Sequence, residues 1–142
     1  MKAYGLTRVR WTGSEVSVVE VEGAPGKEWG ALALAAGVEA GQRVYVVHHP
    51  KGDFKKVSGL GSETTIEQVD GGVLVHSGDT LPGSSGAPIL DGSWKVVGVH
   101  FGTERGGAGN TGLSVVAWRG GVAEAVAAAQ PAPEPVERPA PP

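Results

Sequence analysis

Ser85 lies in the run Gly83-Ser84-Ser85-Gly86-Ala87-Pro88, with Asp79-Thr80-Leu81-Pro82 leading into it and the apolar Ile89-Leu90 following. A serine between glycines, with a turn before it and a strand after it, can present its hydroxyl at the head of a tight loop. The backbone N–H groups of such a loop can converge on one point, which is what a developing oxyanion requires in acyl transfer. Gly83 suits this role, because a residue without Cβ lets the peptide turn inward and a carbonyl approach. Taken alone, a Gly/Ser-rich hairpin loop without chemistry accounts for the same letters. The chain has four histidines, His48, His49, His76 and His100. A metal site at His48-His49 would need a third ligand nearby, which the spacing does not supply, so neither a metal nor a cofactor is expected.

These residues need strands to position them. Residues 4–10 and 16–21 are β-branched and partly alternating around the turn Thr12-Gly13-Ser14, which predicts a hairpin. Gly23-Ala24-Pro25-Gly26 breaks the pattern, and 31–36 reads equally as a strand or a helical turn. Arg43 to His49 predicts a strand ended by Pro50 and the turn Lys51-Gly52-Asp53; 54–60 and 64–69 follow as two more. Asp70-Gly71-Gly72 turns the chain into Val73 to His76, giving an antiparallel meander. Ala87 to Leu90 pairs through Asp91-Gly92-Ser93 with Lys95 to His100. A glycine-rich, mobile loop is expected over 102–112, a last strand over 113–118, and an alanine-rich helix over 122–130 opened by Gly120-Gly121.

The composition agrees with an all-β domain. Of 142 residues 24 are glycine, and the apolar runs between them are short. Two units are predicted: a domain over 1–130 and an extended, disordered Pro-rich tail over 131–142, which cannot build a core. A net charge of −3 leaves no basic surface for a phosphate backbone, so nucleic acid is excluded as a partner. Without cysteine there is no disulfide and no thiolate metal site. No stretch approaches the ~20 apolar residues of a membrane span, and the first residues lack the apolar core of a signal peptide. No membrane partner is expected, and localisation stays open.

The motif Gly83-Ser84-Ser85-Gly86-Ala87-Pro88 resembles the nucleophile motif of trypsin/chymotrypsin-type serine proteases. The wider run from Asp79 is similar to the bacterial glutamyl endopeptidase-like branch. Tyr45 to Gly52 resembles that branch's strand ending in a His-Pro-x-Gly turn, and Val97 to Gly102 its Gly-x-His-x-Gly strand. Order and spacing of the three blocks agree, over roughly residues 14–130. The resemblance implies a chymotrypsin-like antiparallel β-barrel fold, with a near-complete C-terminal barrel, a partial N-terminal barrel and a C-terminal helix. It makes Ser85 the nucleophile of a serine endopeptidase and the N–H groups of Gly83 and Ser85 its oxyanion hole.

Thr80 and His100 fall at positions that line the specificity pocket, where a hydroxyl and an imidazole suit a Glu or Asp side chain before the scissile bond. The partner implied is a peptide or protein substrate. Glu15 stands where the family has its triad aspartate, just before the strand 16–21. The family's base histidine falls upstream of Met1, and none of the four histidines matches it. Two explanations remain open. The chain is the distal part of a protease whose first barrel lies outside it, or it is a catalytically silent, peptide-binding remnant. Exposed faces on an incomplete first barrel predict a dimer or a missing N-terminal segment.

Overall fold

The computed structural model describes residues 2–103 and 109–129. The first two expected strands form as β1 (Leu6–Thr12) and β2 (Ser17–Val21), a two-stranded antiparallel sheet of their own. The break at Gly23-Ala24-Pro25-Gly26 contains a short helix, α1 (Pro25–Trp29), whose second residue Gly26 accepts the closing hydrogen bond from Gly30 N–H. None of its residues is buried. It is tied to the chain start by Trp29 Nε1–H donating to Tyr4 Oη at 2.7 Å. Neither a strand nor a helical turn forms over 31–36. Leu34 alone makes an isolated parallel bridge beside Val96 at the start of β8, held by Ala35 N–H to Val96 O at 2.9 Å and Val96 N–H to Ala33 O at 2.8 Å, with Ala35 buried in the core.

The remaining strands are β3 (Tyr45–His48), β4 (Lys56–Ser58), β5 (Ile66–Asp70), β6 (Val73–His76), β7 (Pro88–Leu90), β8 (Val96–Thr103) and β9 (Asn110–Ser114). They build one sheet in the order β4-β3-β7-β8-β9-β6-β5, all pairs antiparallel. The hairpins β3–β4, β5–β6 and β7–β8 are those expected. A simple meander is not formed, because β4 and β5 lie at opposite ends of the order. The sheet curls until the start of β5 meets the run leading into β3: Val44 N–H reaches Thr64 O at 2.8 Å and Ile66 N–H reaches Gln42 O at 2.9 Å. Closure removes the free edges that an open sheet would present.

Alternation fills the barrel. Val44, Val46, Ile66, Leu74, Ile89 and Val97 are fully buried inside it. Two glycines make room for the largest of these. A Cβ on Gly98 would lie 2.7 Å from Leu74 Cδ2, and one on Gly112 would lie 2.7 Å from Ile89 Cδ1. Large residues on β6 and β7 thus face missing side chains on β8 and β9, which is how a narrow barrel reaches interior packing density.

The last strand is shorter, and the last helix longer, than the sequence pattern suggests. β9 ends at Ser114 and α2 (Val115–Ala129) starts at once, running through Gly120-Gly121. Two glycines inside a helix cost roughly 1 kcal/mol each. Packing overrides that cost here. Val115, Trp118, Gly121 and Ala125 form the buried stripe, and a Cβ on Gly121 would fall 2.1 Å from the Trp11 ring. Trp11, Val16 and Tyr45 join Leu90, Val96, Val115 and Trp118 in a second apolar cluster between barrel, helix and hairpin. Of the glycine-rich loop expected over 102–112, residues 102–103 instead end β8 and 110–112 begin β9, where they pair with each other, while 104–108 lie outside the described residues, as does the Pro-rich tail.

Candidate active site

The 79–87 segment is a pair of successive reverse turns, with Ser84 N–H bonded to Leu81 O at 3.0 Å and Ala87 N–H to Ser84 O at 3.1 Å. Gly83 has φ +97°, and a Cβ there would lie 3.1 Å from Lys51 N and 3.2 Å from His49 O. Both conformation and space therefore demand glycine. The close neighbour is the turn Pro50–Gly52, whose Lys51 N–H donates to Pro82 O at 2.7 Å. In a trans peptide the carbonyl and the following N–H point in opposite directions. Fixing the Pro82 carbonyl on Lys51 therefore turns Gly83 N–H away from that turn. Among the described residues neither Gly83 N–H nor Ser85 N–H meets an acceptor.

Ser85 is exposed beside these two donors, and its hydroxyl donates to Phe101 O at 3.3 Å. Gly86 N–H to His100 O at 2.7 Å and His100 N–H to Ala87 O at 2.9 Å anchor the loop to β8. A cleft of about 240 Å³ opens at the loop, lined among others by His48, Gly83, Ser84 and Ser85. The arrangement can hold a carbonyl oxygen on two N–H groups with a hydroxyl alongside.

His100 is buried on β8, and its Nδ1 lies 3.2 Å from His76 Nε2, the rings meeting edge to face. Gly78 N–H donates to His76 Nδ1 at 3.1 Å, so the proton of a neutral His76 is on Nε2 and is donated to His100 Nδ1. The proton of His100 then sits on Nε2. Burial, with smaller contributions from His100 and His48, lowers the His76 pKa to about 4. Burial also lowers that of His100, opposed by a backbone hydrogen bond at Thr111 and aided by His48. Thr80 is half-buried on the same loop as Ser85, and its hydroxyl makes no hydrogen bond among the described residues.

Glu15 is placed elsewhere. It stands exposed in the turn between β1 and β2, and among the described residues no hydrogen bond or ion pair links it to a histidine or to the serine loop. No histidine is hydrogen-bonded to Ser85 either. Of the pair His48-His49, His49 is exposed and His48 is buried against Ser84. Lys51, Ser84 and His48 also belong to this site, beyond the residues that the sequence motif points to. Alternation of Val44, Val46 and His48 toward one face was the available signal for His48. Nothing in the sequence marked the backbone of Lys51. No group of three or more His, Asp or Glu residues among those described could hold a metal ion.

An antiparallel barrel carrying such a loop defines a chymotrypsin-like hydrolase fold. Residues 2–99 match the family model of the trypsin-like peptidase domain, and the chain belongs to that family. The match takes in Thr80, Gly83 and Ser85; His100 lies one residue beyond it. Solved structures agree on the fold. The active form of the Rv3671c protease from M. tuberculosis superposes with a TM-score of 0.72 at 23% identity, over 93% of this chain and 63% of that one. A Glu endopeptidase in complex with MPD gives 0.66 at 20% identity, over 78% and 54%. The HtrA-type protease AlgW with a decapeptide gives 0.66 at 14%, over 87% and 40%. The expectation of a trypsin/chymotrypsin-like fold therefore holds.

Proposed function

We propose that this site carries out serine-type acyl transfer on peptide substrates, with Ser85 as nucleophile and the N–H groups of Gly83 and Ser85 as the oxyanion hole. The observation that carries this reading is the Lys51 N–H to Pro82 O bond, which turns Gly83 N–H outward, so that it and Ser85 N–H both lie unpaired, among the described residues, beside an exposed hydroxyl. Ser85 Oγ bonds to the substrate carbonyl carbon as its proton passes to solvent, and the carbonyl oxygen takes the electron pair and is held by the two N–H groups. The C–N bond then breaks, the amine leaves with a proton from solvent, and an acyl ester remains on Ser85. Thr80 and His100 receive the side chain before the scissile bond. His100 Nε2–H, which also meets the Thr111 backbone, and the Thr80 hydroxyl are donors suited to a carboxylate, so Glu or Asp is the preferred residue there. The Glu endopeptidase among the structural neighbours supports the same preference. Glu15 would orient a base histidine, and with none in reach among the described residues it has no part in this scheme.

A second reading rests on one observation: among the described residues no imidazole is hydrogen-bonded to Ser85, and a serine hydroxyl without a base is a weak nucleophile. In that reading the same pocket binds acidic peptides without cleaving them. A fluorophosphonate probe separates the two. Labelling that disappears in Ser85→Ala supports acyl transfer; a folded chain that stays unlabelled supports binding alone. Peptides ending in Glu or Lys, tested by calorimetry with His100→Ala as control, decide the pocket. Equal affinity for both peptides would remove the acidic preference.

A further inference from the structure

Ser84, the residue before the candidate nucleophile, is only 1% exposed, and His48 only 3%. Ser84 Oγ lies 2.8 Å from His48 Nδ1, His48 Nε2 lies 3.1 Å from Ser58 Oγ, and Ser58 Oγ donates to Asp79 O at 2.9 Å. Leu81 N–H reaches Ser84 Oγ from the other side at 3.3 Å. One set of proton positions satisfies a neutral imidazole here. The Asp79 carbonyl can only accept, so it takes the Ser58 proton, and Ser58 in turn accepts from His48 Nε2–H. His48 Nδ1 is then bare and accepts the Ser84 hydroxyl proton, while a Ser84 lone pair accepts Leu81 N–H.

This relay starts at Asp79, crosses β4 and β3, and returns to Leu81 and Ser84. It therefore clamps the loop that bears Gly83 and Ser85 from behind. We propose that His48, Ser84 and Ser58 are positioning residues that hold the Gly83 and Ser85 N–H groups at their shared focus. The inference rests on the Ser85 reading above. A buried half-satisfied network is costly, so each member enforces the position of the next. His48 stands between two clefts, the one at Ser85 and another of about 300 Å³ lined by Ser58, Asp79 and Leu81. The relay is thus the wall separating the serine face from the space behind it. Burial lowers the His48 pKa, with Asp79 opposing and Lys56 and His49 reinforcing, which keeps the imidazole neutral as the relay requires. His76 and His100, the other titratable groups coupled to it, have lowered pKa values as well.

The test uses the full chain, Ser84→Ala and Ser58→Ala. Ser58 lies off the nucleophile loop and is half-buried, so Ser58→Ala keeps the proposal testable if Ser84→Ala does not fold. Long-range ¹H–¹⁵N spectra of the imidazoles should show His48 as the Nε2–H tautomer in the native chain and a mixture in Ser58→Ala. The Gly83 and Ser85 amide resonances should shift or broaden in both variants. Fluorophosphonate labelling of Ser85 should slow about tenfold in Ser84→Ala and about threefold in Ser58→Ala, with circular dichroism unchanged. An Nδ1–H tautomer in the native chain, unmoved amides, or labelling on Ser84 itself would overturn the proposal. If the native chain is not labelled, the nucleophile reading fails, and the imidazole and amide spectra decide the relay by themselves.

Discussion

The seven-stranded barrel and the β1–β2 hairpin are written in similar sequence: short β-branched runs punctuated by glycine and polar turns. In the barrel the inward residues Val46, Leu74 and Ile89 are completely buried. In the hairpin Leu6 is 71% exposed and Val9 61%. The difference teaches that alternation assigns a residue to a face, while burial needs a second surface to close over that face. The barrel closes on itself. Among the described residues the hairpin leans on α2 and on one flank of the barrel through Trp11 and Val16, while Leu6 and Val9 remain uncovered. The serine loop belongs to the closed region, and among the described residues the hydrogen bonds that tie it to the barrel come from β3, β4, β8 and the turn after β3.

The contrast can be put to measurement. Leu74→Ala, in the barrel, empties space that Gly98 and Gly112 cannot refill and should cost about 3–4 kcal/mol in denaturant unfolding. A loss below about 1 kcal/mol would mean the barrel interior is not tightly packed.

Acid should also strike the barrel first. The folded His76 pKa, about 4, lies below the unfolded value of 6.5, so between these values the unfolded chain binds more protons. Stability should fall as pH drops through that window, by on the order of 3 kcal/mol for this group. His48 and His100 shift in the same direction and add to the loss. Thermal unfolding between pH 7 and pH 4 checks the sign, and His76→Phe should flatten the profile.

At the junction of the two regions, Gly121→Ala drives a methyl group into the Trp11 ring and should destabilise by about 1–3 kcal/mol. Tryptophan fluorescence should report the displaced Trp11, and unaltered emission would argue against the contact. The smallest effect belongs to the hairpin face: Val9→Thr should change stability by no more than about 0.5 kcal/mol. A loss as large as that of Leu74→Ala would mean that something covers this face in solution.

Much of the chain could be read in advance. The strand runs from Arg43 to His100 form where turn chemistry and alternation place them, because both signals are local. Residues 115–118 are helical where the pattern predicts a strand, since Val115-Val116-Ala117-Trp118 has the composition of a strand. Its helical form depends on Trp118 packing against the barrel and Trp11 packing over Gly121, contacts between residues far apart in the chain. In the site, the Gly-Ser-Ser-Gly loop was legible from its letters. The Lys51 bond to Pro82 and the burial of His48 against Ser84 were not, because one is a backbone contact and the other joins residues 36 positions apart.

By itself, then, the sequence determined the family, the all-β class and the loop that carries Ser85, since these rest on residue types in fixed local order. Tertiary structure alone decided which way the Gly83 N–H points, which histidines are buried, and where Glu15 stands relative to the serine. Those depend on the sheet closing, which brings the 49–53 turn under the loop and sets β3, β4 and β8 around it. The hairpin that holds Glu15 forms a separate sheet, and among the described residues no hydrogen bond or ion pair draws its carboxylate to the site.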